Sequence, residues 1–245
     1  SALTSPHAMH FRNLGGNAVQ HAAITPGSGL LTTQIKLTKV SPAAGMIILQ
    51  FDFVTRDKNG PVYLGDTTFG FFTRESLANQ VGMKDASFLD VPGASPAPMS
   101  TEAPFPDKML SMIDTISWNT TTGGPKGFGA IKGRARVNPE AWFFKAHFFQ
   151  DPVWPGSLGL ESIVQLLKIH AHSRWGKPQT EWQAMVPGER HRWAYRGQIV
   201  PAASEVTIQA YITHVDDASR FIKADGLLGV DGRIIYQVSD FTVQG

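Results

Sequence analysis

Residues 142–165 read WFFKAHFFQDPVWPGSLGLESIVQ, and the reading of this stretch decides the fold. An apolar run containing one histidine, His147, leads into a turn at Pro155 and Gly156, residues that let a backbone bend sharply. From Leu158 to His170 the spacing predicts a helix, with Leu160, Ile163, Val164 and Leu167 on one apolar face. The first turn of a helix carries N–H groups without acceptors and a partial positive charge, which suits a polarised carbonyl oxygen. Glu161 and Gln165 are four apart and share a face. Ser157, at the helix entry, reads as an N-cap, and Asp151 as the residue that shapes the turn before Pro152.

Working outward, most of the remaining chain is strand-like. Leu30 to Val40 alternates apolar and polar residues. Met46 to Arg56 and Val62 to Phe72 form a pair around Asp57-Lys58-Asn59-Gly60, a hairpin turn. Arg74 to Val81 reads as a short closing helix and Asp107 to Ser117 as a helical turn or strand entry. Gly127 to Asn138 is a strand, and Trp175 to Pro187 a loop. Four strands follow at Arg192 to Ile199, Glu205 to Val215, Arg220 to Val230 and Arg233 to Val243, the last two joined by Asp231-Gly232. Between Gly82 and Pro106, the prolines at 92, 96, 98, 104 and 106 leave little room for regular structure. Residues 1–17 read as mixed and Gly-rich, with Gly15-Gly16 and Gly123-Gly124 as turns.

The two halves repeat. Ile24-Thr25-Pro26 matches Ile199-Val200-Pro201, Thr32 and Gln34 match Thr207 and Gln209, and Val40 matches Val215. Gly60 and Phe69 then match Gly232 and Phe241 at a slightly shorter offset. The second copy is preceded by the helix and its histidine; the first has no such stretch ahead of its strands. The expectation is a unit used twice, its first copy lacking the early strands and central helix, either because the sequence is a piece of a longer chain or because another chain supplies them. One apolar helix followed by a meander of long strands predicts an α+β fold, an antiparallel sheet wrapped around the helix.

The run His147-Phe148-x-x-Asp151-Pro152-x-x-Pro155-Gly156-x-Leu158-Gly159-x-Glu161-x-x-x-Gln165 resembles the active-site segment of the bacterial β-hydroxyacyl-ACP dehydratase/isomerase (FabA-like) family. Its wording, and Gly60-Pro61-Val62-Tyr63-Leu64-Gly65-Asp66-Thr67-Thr68-Phe69-Gly70-Phe71-Phe72 upstream, look most like the dehydratase domains of polyunsaturated fatty acid synthases. The resemblance implies a hotdog fold: a double hotdog with residues 1–81 as a partial first repeat, 82–106 as a Pro-rich linker and 107–245 as a complete catalytic hotdog. It implies dehydration of β-hydroxyacyl thioesters to trans-2-enoyl thioesters without a cofactor. The partners it implies are an acyl carrier protein with a phosphopantetheine-linked chain, other synthase domains, and a second hotdog unit or a homo-oligomer.

Removing a C2 proton needs a base, and imidazole is the usual choice near neutral pH. The residues expected for the work are His147 as base and the Gly156 N–H as donor to the thioester carbonyl. Glu161, or its counterpart from a partner unit, would deliver the proton to the leaving hydroxyl, with Gln165 holding it. Phe148, Val153, Trp154, Pro155 and Leu160 would wall the tunnel, Trp154 narrowing it. Within the family, the histidine comes from one unit and the acid from the other. The founding dehydratase/isomerase carries Asp where this chain has Glu161, and Glu also occurs in dehydratases that do not isomerise, which leaves isomerisation open.

Blander readings compete. A histidine among aromatics is usually packed core, and a carboxylate early in a helix is favoured by the dipole alone; only the motif around them points to chemistry. His170 and His172, two apart, do not share a helix face, so no metal site is expected. A hotdog thioesterase and a non-catalytic acyl-binding scaffold are the alternatives, since one fold hosts several functions. Composition narrows the field further. Hydrophobic residues at 42% support a core, and charged residues at 17% are too few for a disordered chain. The net charge of +2, without a basic run, argues against nucleic acid, although Lys145, Arg190, Arg192 and Arg196 are candidates for a carrier-facing rim. No apolar stretch reaches membrane-spanning length and residues 1–20 lack a signal-peptide pattern. Zero cysteines fit a cytoplasmic protein.

Overall fold

The computed structural model of the chain describes residues 8–43, 45–91, 108–178 and 180–245. Four strands open it: β1 (His10–Gln20), β2 (Thr32–Ala43), β3 (Met46–Asp57) and β4 (Gly60–Phe72), then a short helix α1 (Arg74–Ala78). The second half runs β5 (Thr115–Thr120), β6 (Ala130–Arg136), α2 (Trp142–Ala146), α3 (Gly156–Trp175), β7 (Gln183–Ala184), β8 (Arg190–Tyr195), β9 (Glu205–Asp216), β10 (Phe221–Val230) and β11 (Arg233–Gln244). Among the described residues the strands form one sheet in the order β2-β3-β4-β1-β8-β11-β10-β9-β6-β5, with β7 beside β11.

That order explains the repeat. The unit β1–β4 and the unit β8–β11 are the same four-strand arrangement, placed back to back across an antiparallel β1–β8 pair. Glycine makes the seam possible. A Cβ on Gly16 would lie 2.7 Å from the Trp193 ring and one on Gly15 2.6 Å from the Trp193 carbonyl oxygen. Gly15-Gly16 is therefore not the expected turn but a bulged stretch of β1, and that strand begins at His10, inside the segment read as mixed.

α3 lies on the second unit, against β6, β9, β10 and β11. Ile163, Leu166 and Leu167 are fully buried and Val164, Ile169 and Ala171 nearly so, which makes it a central helix covered on most sides. Each such large side chain contributes roughly 1.5–3 kcal/mol through burial. Pro155, with φ −58°, caps the helix and starts it at Gly156, so Ser157 already lies in the first turn and is not the N-cap expected.

The corresponding face of the first unit is uncovered among the described residues. Strand pairing puts Ile35, Leu37 and Val40 of β2 beside Phe53, Phe51 and Leu49 of β3. Ile35, Val40 and Leu37 are 63%, 53% and 50% exposed, on the face whose equivalents in β9 to β11 carry α3. The regular elements of the described part of this unit are β1 to β4, α1 and a single 3-10 turn at Pro26–Ser28.

The segment read as a linker is in part packed. Residues 82–91 cross the outer face of the second unit: Met83 N–H donates to the Ile234 carbonyl at 2.8 Å, and Leu89 exchanges bonds with the Gln209 side chain at 2.7 and 2.9 Å. Its Pro-rich remainder, 92–107, lies outside the described residues. The stretch read as a loop over 175–187 contains the two-residue β7, and the apolar run at 142–146 forms α2.

Candidate active site

A cavity of about 640 Å³ opens beside the β1–β8 seam. His147, Phe148, Val153, Trp154, Gly156, Leu160 and Glu161 all line it, so seven of the expected site residues meet in one place. The first unit closes the other side with Phe11, Arg12, Asn13, Tyr63 and Phe69, while Tyr195, Tyr236 and Phe241 form part of the wall. Rings dominate this lining, which makes the space largely apolar.

His147 sits just past α2, whose last turn gives its N–H a carbonyl partner, Phe143, at 2.9 Å. Its Nδ1 is 3.1 Å from the Val153 carbonyl oxygen. A carbonyl only accepts, so Nδ1 carries the proton and Nε2 keeps a lone pair, the tautomer a general base needs. The Phe148 ring stacks on the imidazole at 3.9 Å.

Gly156 opens α3. By helix geometry the N–H groups of Gly156 and Ser157 have no carbonyl one turn earlier, and α3 has no side-chain cap, so these donors are left for a ligand. A Cβ at Gly156 would sit 3.0 Å from Tyr195 Cζ, so the glycine lets the ring of β8 close on the helix start. Burial pushes the Tyr195 phenol well above its usual value, which keeps it neutral.

Glu161 follows one and a half turns later, and among the described residues it supplies the carboxylate of the cavity wall. Gln165 Nε2 donates to Glu161 Oε1 at 3.0 Å and to the Leu110 carbonyl at 2.8 Å, while Gln165 Oε1 accepts from Met112 N–H at 3.0 Å. Gln165 thus stands behind the cavity, buried, and fixes the acid that does line it. Pro155 is likewise outside the lining and acts as the helix cap. Trp154 is buried against Phe143 at 4.7 Å and shows the cavity only part of its surface.

The first-unit wall holds no carboxylate among the described residues, and Glu161 of the same unit as His147 shares the cavity. Sequence reading missed Arg12, Tyr63 and His191. Tyr63 Oη and His191 Nε2 are 3.0 Å apart across the seam, and burial lowers His191 to about 4. Nothing local marks these residues; they reach the cavity through strand pairing between halves. Of the candidate rim cations none lines the cavity: Lys145 pairs with Glu140, Arg192 with Asp240, Arg190 with Asn17, and Arg196 donates to the Leu14 carbonyl.

A sequence profile of the FabA-like domain matches residues 105–239, over half of the chain, including His147 and all of α3. The chain belongs to the FabA-like family. One of the polyunsaturated fatty acid synthase subunits of Thraustochytrium sp. (strain ATCC 26185 / S-3) is 30% identical over 284 aligned positions that take in 100% of this chain. The chain spans 19% of that relative's length. Three solved structures share the architecture at 11–14% identity. They are the dehydratase domain of RzxB from Pseudomonas fluorescens (TM-score 0.55, 100% of this chain and 80% of that one), a hot dog protein of unknown function from Alicyclobacillus acidocaldarius (0.54, 100% and 82%) and a protein assigned as a thioesterase from Novosphingobium aromaticivorans (0.53, 95% and 79%). This FabA-like chain has the hotdog fold, and it is related to a polyunsaturated fatty acid synthase subunit. No helix among the described residues is long and apolar enough to cross a membrane.

Proposed function

We propose that this domain dehydrates β-hydroxyacyl chains carried on the phosphopantetheine of an acyl carrier protein, as part of a cytoplasmic multidomain synthase. The observation that carries the reading is the shared cavity: an imidazole with a free Nε2, a helix N-terminus with unfilled donors and one held carboxylate open into a single apolar space.

The roles follow from the chemistry. His147 Nε2 takes the C2 proton. The electron pair left on C2 spreads onto the thioester oxygen, which the Gly156 N–H stabilises at the start of α3. The pair then returns to form the C2–C3 double bond as the C3–O bond breaks. Glu161, entering the cycle in its protonated form, delivers that proton to the departing hydroxyl, which leaves as water. His147 ends with one proton more and Glu161 with one fewer, and solvent exchange restores both. Gln165 orients the Glu161 carboxyl throughout.

The face of β2 and β3 that is uncovered among the described residues supports pairing with a further hotdog unit. Exposed apolar patches of this kind mark interaction surfaces.

Mass spectrometry of a short β-hydroxyacyl thioester incubated with the wild type and with His147→Ala tests the reading. Loss of one water that disappears in the variant is the expected result, and release of the free acid would move the assignment to a thioesterase. Chromatography of the product separates the trans-2-enoyl thioester from an isomerised one.

A further inference from the structure

We propose that Arg12, from the first repeat, is a positioning residue for His147 and acts through Asp151. The inference rests on the function proposed above for His147 but on a separate set of contacts. His147 begins a small closed loop. Val153 N–H donates to the His147 carbonyl at 2.9 Å, and Phe148 and Asp151 exchange backbone bonds at 3.2 Å each way. The loop is stiff within itself, so its placement depends on what grips it from outside.

The grip is on Asp151. Arg12 Nη1 donates to Asp151 Oδ2 at 2.7 Å and Nη2 to Oδ1 at 2.9 Å, a two-pronged pairing that fixes direction as well as distance. His10 Nδ1 stands 2.9 Å from Oδ2. Arg12 is itself held: Nε donates to Gln198 Oε1 at 2.7 Å and Nη1 to the Phe11 carbonyl at 2.8 Å. It is 8% exposed, and its guanidinium lies 6.0 Å from the centre of the Phe148 ring that stacks on the imidazole.

These contacts give Asp151 more than a turn-shaping role. They also give the first repeat a task at the site of the second. Most of the Arg12 donors are spent on Asp151, Gln198 and Phe11, so the geometry favours holding the loop over gripping substrate. A bidentate pair of this kind is not reproduced by lysine. Once it is lost, the loop that carries the base keeps its internal bonds but loses its orientation, and a displacement of about 1 Å at a reacting group costs on the order of 10²-fold in rate.

The test compares wild type, Arg12→Gln, Asp151→Asn and the double variant in the full 245-residue chain. Dehydration kinetics of a short β-hydroxyacyl thioester are measured together with long-range ¹H–¹⁵N spectra of the histidine rings. We expect each single variant to fold and to lose roughly 10- to 100-fold in kcat with KM little changed. The double variant should lose no more than the worse single, because both remove one contact. In the spectra the His147 ring resonances should shift from their wild-type positions, while the Nδ1-protonated tautomer persists because the Val153 carbonyl that sets it lies inside the loop. A kcat that stays at the wild-type value in folded Asp151→Asn, a loss confined to KM, or additive losses would each overturn the proposal. Should Arg12→Gln fail to fold, the near-isosteric Asp151→Asn decides alone. Absence of turnover in the wild type would sink the dehydratase reading, and the ring spectra would still decide whether Arg12 and Asp151 hold His147.

Discussion

At the scale of single residues, two protein acceptors set the geometry of the candidate site. The Val153 carbonyl fixes which nitrogen of His147 is bare, and the Glu161 carboxylate receives Gln165. Removing the proposed base outright, in His147→Ala, should lower kcat by about 10²–10⁴-fold, the span general bases contribute, with the fold intact by circular dichroism. Gln165→Leu is a finer probe. It keeps the volume but strands the Leu110 carbonyl and Met112 N–H and frees Glu161. Unmet buried groups cost about 1–3 kcal/mol each, so this variant should lose stability in urea unfolding as well as kcat. Asp151 shows how a contact sets a charge. Burial alone would raise its carboxyl, but the hydrogen bonds and charges of Arg12 and His10 outweigh that and hold it below the ordinary carboxylate range.

At the scale of elements, α3 is the piece on which the second unit closes. Its Gly159 has the Tyr236 ring where a Cβ would go, at 2.4 Å, so that ring, buried against Tyr195 at 4.4 Å, would have to shift towards the cavity it lines. Gly159→Ala should therefore destabilise the domain by about 1–3 kcal/mol, although alanine is the better helix former. A lowered urea midpoint at unchanged slope would bear this out, and a raised midpoint would refute it. Two turns on, Leu167→Ala should cost about 2–5 kcal/mol by opening a cavity in a fully buried position. The helix was legible because its apolar spacing is continuous from Leu160 to Ile169 and Pro155 marks its start. Its exact cap was not, because Ser157 has the right chemistry one place too late.

At the scale of the whole molecule, burial of histidines makes stability depend on pH. His170 is fully buried and its pKa is lowered to about 4, first by burial and then by the charge of Arg174. His191 is lowered to about 4 as well, by burial. The unfolded chain takes up these protons near pH 6.5, the folded one only near 4. Between those values the unfolded state binds more protons, so stability falls as the pH drops through the window, by up to about 1.4 kcal/mol per unit for His170. Urea midpoints across that range should show the slope, and His170→Gln should flatten it. The two-unit sheet also leaves Ile35, Leu37 and Val40 exposed on one face. Chromatography of Ile35→Lys/Val40→Lys should show a smaller self-associated fraction than the wild type.

The sequence by itself determined the local elements, the doubled unit and the motif that gathers His147, Gly156, Glu161 and Gln165, because spacing, turn chemistry and a dense pattern act over short distances. Only the tertiary structure decided that β1 and β8 join the units edge to edge, that residues 82–91 pack on the sheet, and that Arg12 reaches Asp151. Those contacts join residues far apart in the chain, where no local propensity or spacing records the partner, and strand pairing alone brings them together.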